Sequence, residues 1–280
     1  MATYTTFPDP AKTLEHIDRL RRHHDHLKSL DDAYALMRQK ETYDRMRDPG
    51  FRCDPARMKD LDRSHFTSLI LKLSVEDGRQ FFAGVRKCYE KLGELLHRFD
   101  PGATVEIYLD SAHITVKSLQ DGLRQNAENL RHYLPIVAPI VSKWINLIGG
   151  DTSLHAVGFF TNLHPAKGLS VGLRFYPSLP LIQIIRGEVG VALYGHGGGL
   201  PLRAEDSFHT MLTHSTAFRA RTLSFPMSAD FVQEFETIIA SYDQRVFGVI
   251  EDIQVGDFYV RNGYSDKLVA VDEIPVSNGG

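Results

Sequence analysis

Thr213-His214-Ser215-Thr216-Ala217-Phe218-Arg219-Ala220 reads as a β-strand, and so does Ala112-His113-Ile114-Thr115-Val116-Lys117 a hundred residues earlier. In a strand, residues i and i+2 emerge on the same face. His113 therefore stands beside Thr115, and His214 beside Thr216. Strict alternation would add Lys117 to the first face and Phe218 to the second. Ile114 and Val116 would face an apolar layer, while Ser215 and Ala217 are small enough for close helix packing. Three His-x-Thr triplets occur, at His65, His113 and His214, whereas 13 histidines and 15 threonines predict about 0.7 by chance.

Around these two runs the sequence repeats an order of elements. Before the first come a strand over His65 to Ser74, a helix whose buried stripe is Phe81, Phe82, Val85, Tyr89, Leu92, Leu95 and Leu96, and a strand over Val105 to Leu109. Asp100-Pro101-Gly102 supplies turn chemistry between the last two. After the first run, His113 to Leu119, the pattern predicts a helix from Leu123 to Asn146 bent by Pro135 and Pro139, and a strand pair His155 to Leu163 and Leu169 to Tyr176. A helix from Leu179 to Tyr194 follows, and Gly195 to Gly199 breaks the chain. After the second run, His214 to Ala220, come a helix over Ala229 to Phe247 and strands over Gly248 to Arg261 and Lys267 to Ile274. Strands often follow one another directly, which favours a duplicated α+β architecture over a doubly wound parallel sheet.

The segment from Lys12 to Asp62 is crowded with charge, and Leu14, Ile17, Leu20, Leu27, Leu30, Leu36 and Met37 recur at roughly helical spacing. Residues 1–63 are thus expected to form a helical extension of two or three helices, packed on a main unit spanning 64–280. With 280 residues, 42% of them hydrophobic and 24% charged, the chain has the composition of an ordinary globular protein. A net charge of -3 offers no overall positive field for a long duplex nucleic acid. No apolar run approaches the ~20 residues needed to span a bilayer, and Met1 to Pro10 lack the features of a signal peptide, so the expected compartment is the cytoplasm with no membrane partner. Cys53 and Cys88 are expected to be reduced, buried thiols.

Two imidazoles and two hydroxyls around one cleft suit phosphodiester chemistry. One imidazole accepts a proton from the nucleophile while the other protonates the leaving oxygen. Hydroxyls and a nearby cation can stabilise the nonbridging oxygens as phosphorus becomes pentacoordinate. No metal or other cofactor is called for.

These same residues resemble the paired His-x-Thr/Ser motifs of the two-histidine (2H) phosphoesterase superfamily, which includes RNA 2′,3′-cyclic phosphodiesterases. The order of elements over about residues 64 to 280 is similar as well. The resemblance implies a bilobed fold whose antiparallel sheets line a central cleft with helices outside. It implies His113 and His214 as acid and base, Thr115 and Thr216 as phosphate ligands, and no metal. Arg219 matches an arginine common in bacterial members, but alternation would point it away from His214, so its role needs a strand end or a bulge. Lys117 and Phe218 complete the candidate substrate-binding set. The long segment before the first motif and polar Ser215 depart from the family pattern, which fits a specialised subgroup.

The expected function is a metal-independent phosphodiesterase acting on a nucleotide or RNA end, with a 2′,3′-cyclic phosphate as one candidate substrate. A noncatalytic nucleotide-binding regulatory module is the alternative, and a metal-dependent hydrolase built on the surplus histidines is a third reading. His23-His24-Asp25-His26 lacks a complete metallohydrolase pattern, and Gly195-His196-Gly197-Gly198-Gly199 lacks the lysine of a P-loop. The first reads as a polar helix face and the second as a loop near the second motif. His65-Phe66-Thr67 is a rival first motif, on the strand that precedes the long helix.

Overall fold

The computed structural model describes residues 24–54, 67–73, 79–120, 135–144, 154–177, 181–195, 213–246, 252–253, 255–262 and 268–270. In chain order these form α1 (His24–Arg47), β1 (Thr67–Leu73), α2 (Arg79–Phe99), β2 (Thr104–Ile107), a 3-10 turn (Leu109–Ser111) and β3 (His113–Gln120). There follow α3, described over 135–144, β4 (Leu154–His164), β5 (Gly168–Pro177), α4 (Leu181–Gly195), β6 (Thr213–Arg221) and α5 (Ala229–Val246). Strands β7 (Asp252–Ile253), β8 (Val255–Asn262) and β9 (Leu268–Ala270) complete them.

The strands build two antiparallel sheets, one in the order β3-β1-β8-β9 and the other in the order β2-β6-β5-β4-β7, so the fold is α+β. The two His-x-Thr strands lie in different sheets. A single core joins them: Leu69, Leu71, Leu73 and Ile114 from one sheet share it with Leu169, Val171, Leu173, Phe175 and Phe218 from the other. Helix α2 contributes the whole apolar stripe read from its sequence, at helical spacing. Each of its large side chains contributes about 1.5–3 kcal/mol on burial. Ser228 caps α5, its hydroxyl accepting the N–H of Phe231 at 3.1 Å.

Helix α1 crosses β4 and touches α5. Its C-terminal end enters the shared core through Met46, and the N–H of Met227 donates to the carbonyl of Met46 at 2.8 Å. Among the described residues no helix is long and apolar enough to cross a membrane.

Two strand expectations change. The run from Gly248 to Arg261 is described as two strands: β7 pairs with β4 in one sheet, and β8 pairs with β1 in the other. The chain passes between sheets there, a tertiary event that periodicity does not register. The strand expected to end at Leu109 stops at Ile107, and Leu109 sits in the 3-10 turn. His23, His65, the glycine-rich stretch 196–199 and the expected helical residues 123–134 lie outside the described residues.

Candidate active site

Pairing with β5 fixes which β6 side chains share a face. Arg174 pairs with His214, Gly172 with Thr216, Val171 with Phe218 and Ser170 with Arg219. Consecutive residues on β5 thus face Thr216 and Phe218, leaving Ala217 as an extra residue. The consequence is a change of face beyond Thr216. Phe218 turns into the core, fully buried with its ring 5.5 Å from that of Tyr89, while Arg219 joins His214 and Thr216 on the half-buried, polar face. This corrects the reading that put Phe218 beside His214, and it supplies the bulge that Arg219 required.

The first motif strand is built the same way. Against β1, His113 pairs with Lys72, Ile114 with Leu71, Thr115 with Ile70 and Lys117 with Leu69, so Val116 is the extra residue. His113 is half-buried and Thr115 exposed, with Ile114 between them at 0% exposure. Lys117 is buried opposite Leu69, a core residue, and this corrects its expected place on the histidine face. In both strands the extra residue follows the threonine directly.

At the β3 bulge a side chain binds the backbone carbonyls, and at the β6 bulge the β2–β6 ladder continues across the extra residue. Arg186 on α4 is buried and donates from Nε to the carbonyl of Val116 at 2.5 Å and from Nη2 to that of Thr115 at 2.9 Å. The backbone N–H of Tyr108 donates to the carbonyl of Ala217 at 2.7 Å. Gly172 permits the close approach of β5 at the second bulge, since a Cβ there would lie 2.6 Å from the carbonyl oxygen of Ser215.

Strands β3 and β6 approach one another within 8 Å Cα–Cα although they belong to different sheets. His113 Nδ1 lies 2.9 Å from the carbonyl of Ser111. A carbonyl only accepts, so Nδ1 carries the proton and the neutral ring keeps its lone pair on Nε2. The ring of His214 packs against that of Phe160, with centroids 5.1 Å apart and planes at 42°.

Further polar residues share the His214 face. Glu106 on β2 pairs with Arg219, accepts the hydroxyl hydrogen of Tyr108 and lies 3.5 Å from Arg221 Nε. Burial pushes the Tyr108 phenol up to about 12, with Glu106 adding to the rise and the arginines opposing it. Arg219 Nε is buried with no hydrogen-bond partner among the described residues. Arg174 donates from Nη1 to Asp32 of α1 at 3.0 Å, and Tyr176 donates to the same oxygen at 2.8 Å.

Sequence reading missed Arg174, Tyr108, Asp32 and Arg186. Arg174 was legible as part of the alternation Ser170, Gly172, Arg174, Tyr176, and Arg186 as one of two charges, with Glu188, in a largely apolar helical stretch. Tyr108 and Asp32 carried no local signal. Among the described residues no group of three or more His, Cys, Asp or Glu is arranged to hold a metal ion.

No protein-family model matches this chain, and no curated protein does. Among solved structures, Usb1 of Kluyveromyces marxianus is similar at 9% identity and a TM-score of 0.41, covering 76% of this chain and 99% of that one. The same protein with uridine monophosphate is similar at 10% identity and a TM-score of 0.38, again over 76% and 99%. Similarity at this level leaves the functional reading to the chain's own residues.

Proposed function

We propose that the chain is a metal-independent phosphodiesterase acting on a nucleotide or RNA-end phosphodiester, a 2′,3′-cyclic phosphate being the simplest substrate. One observation carries this reading. Two half-buried imidazoles stand on adjacent strands of different sheets, each with a threonine on its own face. One imidazole takes a proton from water as the water oxygen bonds to phosphorus. The bond from phosphorus to the ribose oxygen breaks, and the other ring, protonated, gives its proton to that oxygen. Thr115, Thr216 and Arg219 would stabilise the nonbridging oxygens. Lys117 and Phe218, both buried, are left out of the phosphate-binding set. In this reading residues 64–280 form the phosphoesterase unit and 1–63 an extension of it.

The test is a screen of purified protein against nucleoside 2′,3′-cyclic phosphates and RNA oligonucleotides ending in one, with EDTA present throughout. Turnover that persists in the chelator is expected. Turnover that appears only when EDTA is left out would point to the metal-dependent alternative, and saturable binding with no product in either condition to a noncatalytic module.

A further inference from the structure

Helix α1 reaches the His214 side of the site by two separate routes. The first is polar. Asp32 Oδ1 accepts from Arg174 Nη1 at 3.0 Å and from the Tyr176 hydroxyl at 2.8 Å, and Arg174 is the residue of β5 paired with His214. Directly paired residues in an antiparallel sheet hold their Cβ atoms about 5 Å apart, so the guanidinium stem flanks the imidazole. The second route is apolar. Ala35 and Tyr34 pack on Phe160, whose ring lies against His214. One helix therefore touches both the ring that packs on the imidazole and the side chain beside it.

Arg174 is held closely. Its side chain is 14% exposed, and Asp243 of α5 attracts it while accepting the N–H of Phe159 at 3.0 Å. Gly158 makes room for this arrangement: a Cβ there would lie 3.1 Å from Arg174 Nη2 and 3.3 Å from Asp243 Oδ1. The Asp32 side chain, by contrast, is 45% exposed. A half-exposed carboxylate that accepts two side-chain donors next to a candidate catalytic ring acts through geometry more than through global stability.

We infer that α1 is a wall of the His214 site and that Asp32 is a positioning residue, acting on His214 through Arg174 and Tyr176. The inference rests on the two-histidine reading above and gives the N-terminal segment a part in it. Without Asp32, Arg174 and Tyr176 lose a shared acceptor and the β5 flank of the imidazole loosens. A misplacement of this kind lowers the rate of the chemical step while leaving substrate binding largely intact.

The experiment uses the full chain, with Asp32→Ala, Asp32→Asn and His214→Ala compared on a nucleoside 2′,3′-cyclic phosphate, alongside NMR of the histidine imidazoles. Asp32→Ala is expected to lower kcat by about 10-fold to 100-fold with KM changed by less than about twofold. Its thermal midpoint should stay within a few degrees of the parent. The His214 resonances should move while those of His113 stay in place. Asparagine keeps an oxygen that can accept from Arg174 and Tyr176, so Asp32→Asn should recover most of the rate. Unmoved His214 resonances and an unchanged kcat in Asp32→Ala would overturn the role given to Asp32 and leave the two-histidine reading standing. Full turnover in His214→Ala would instead remove the two-histidine reading itself.

Discussion

The backbone N–H of Tyr108 donates to the carbonyl of Ala217 at 2.7 Å, tying the segment that leads into His113 to the strand that carries His214. Tyr108 stands opposite Ala217 in the register that pairs Ile107 with Phe218, so this bond carries the β2–β6 ladder one residue past β2, at the extra residue of the β6 bulge. The segment that turns from β2 toward His113 is thus held on β6 beside the residue whose bulge re-aims Arg219.

His113→Ala and His214→Ala are each expected to lower kcat by about 10² or more, the scale of a lost general acid or base. Both rings are half-buried, so the variants should fold. Phe218→Ala should behave differently, losing about 3–5 kcal/mol of stability because its ring is in the core. Steady-state kinetics together with urea unfolding separates the two outcomes. Near-normal kcat in either histidine variant counts against the assignment.

Gly172→Ala sets a Cβ against backbone, 2.6 Å from the carbonyl oxygen of Ser215, where no rotamer change can relieve it. A loss of about 1–3 kcal/mol is expected. Gly187→Ala is the control. Its Cβ would meet nothing within 4 Å on helix α4, and the change should stabilise by about 0.5–1 kcal/mol. Chemical denaturation of the pair reads the difference directly.

Arg186→Met removes the charged donors from the carbonyls of Thr115 and Val116. The expected cost is about 3 kcal/mol, offset in part because the buried guanidinium no longer has to be desolvated. Thr115 should also be held less well, so KM for the phosphodiester should rise. Unchanged stability and unchanged KM would show that the bulge does not need this clamp.

Burial pushes the Cys88 thiol up to about 12 and the Cys53 thiol up to about 11, from an ordinary 9.0. The folded state thus favours the protonated form. This contribution is complete below pH 9.0 and is lost as the pH rises through about 11 and 12. The urea midpoint should fall across that window, and Cys88→Ala should remove part of the fall. At pH 8 a thiol reagent should label neither cysteine of the native protein quickly, and both after unfolding.

Much of the architecture was legible in local patterns. The stripe Phe81, Phe82, Val85, Tyr89, Leu92, Leu95, Leu96 repeats at the helical period, and that period is a property of the residues themselves. Alternation likewise puts His113 with Thr115 and His214 with Thr216, because side chains two apart in an extended chain share a face whatever lies beside them.

Lys117, Phe218 and Arg219 mark where that reasoning stops. A bulge arises when two residues of one strand meet one residue of its neighbour, so it belongs to the pairing of β3 with β1 and of β6 with β5 and has no signature in either segment alone. The docking of Asp32 onto Arg174 spans 142 positions of sequence, and the split of one expected strand between two sheets likewise depends on distant partners. Short-range periodicity determined the elements and the two His-x-Thr faces. Contacts between residues far apart in the chain decided which side chains share the site, because only packing brings such residues within reach of one another.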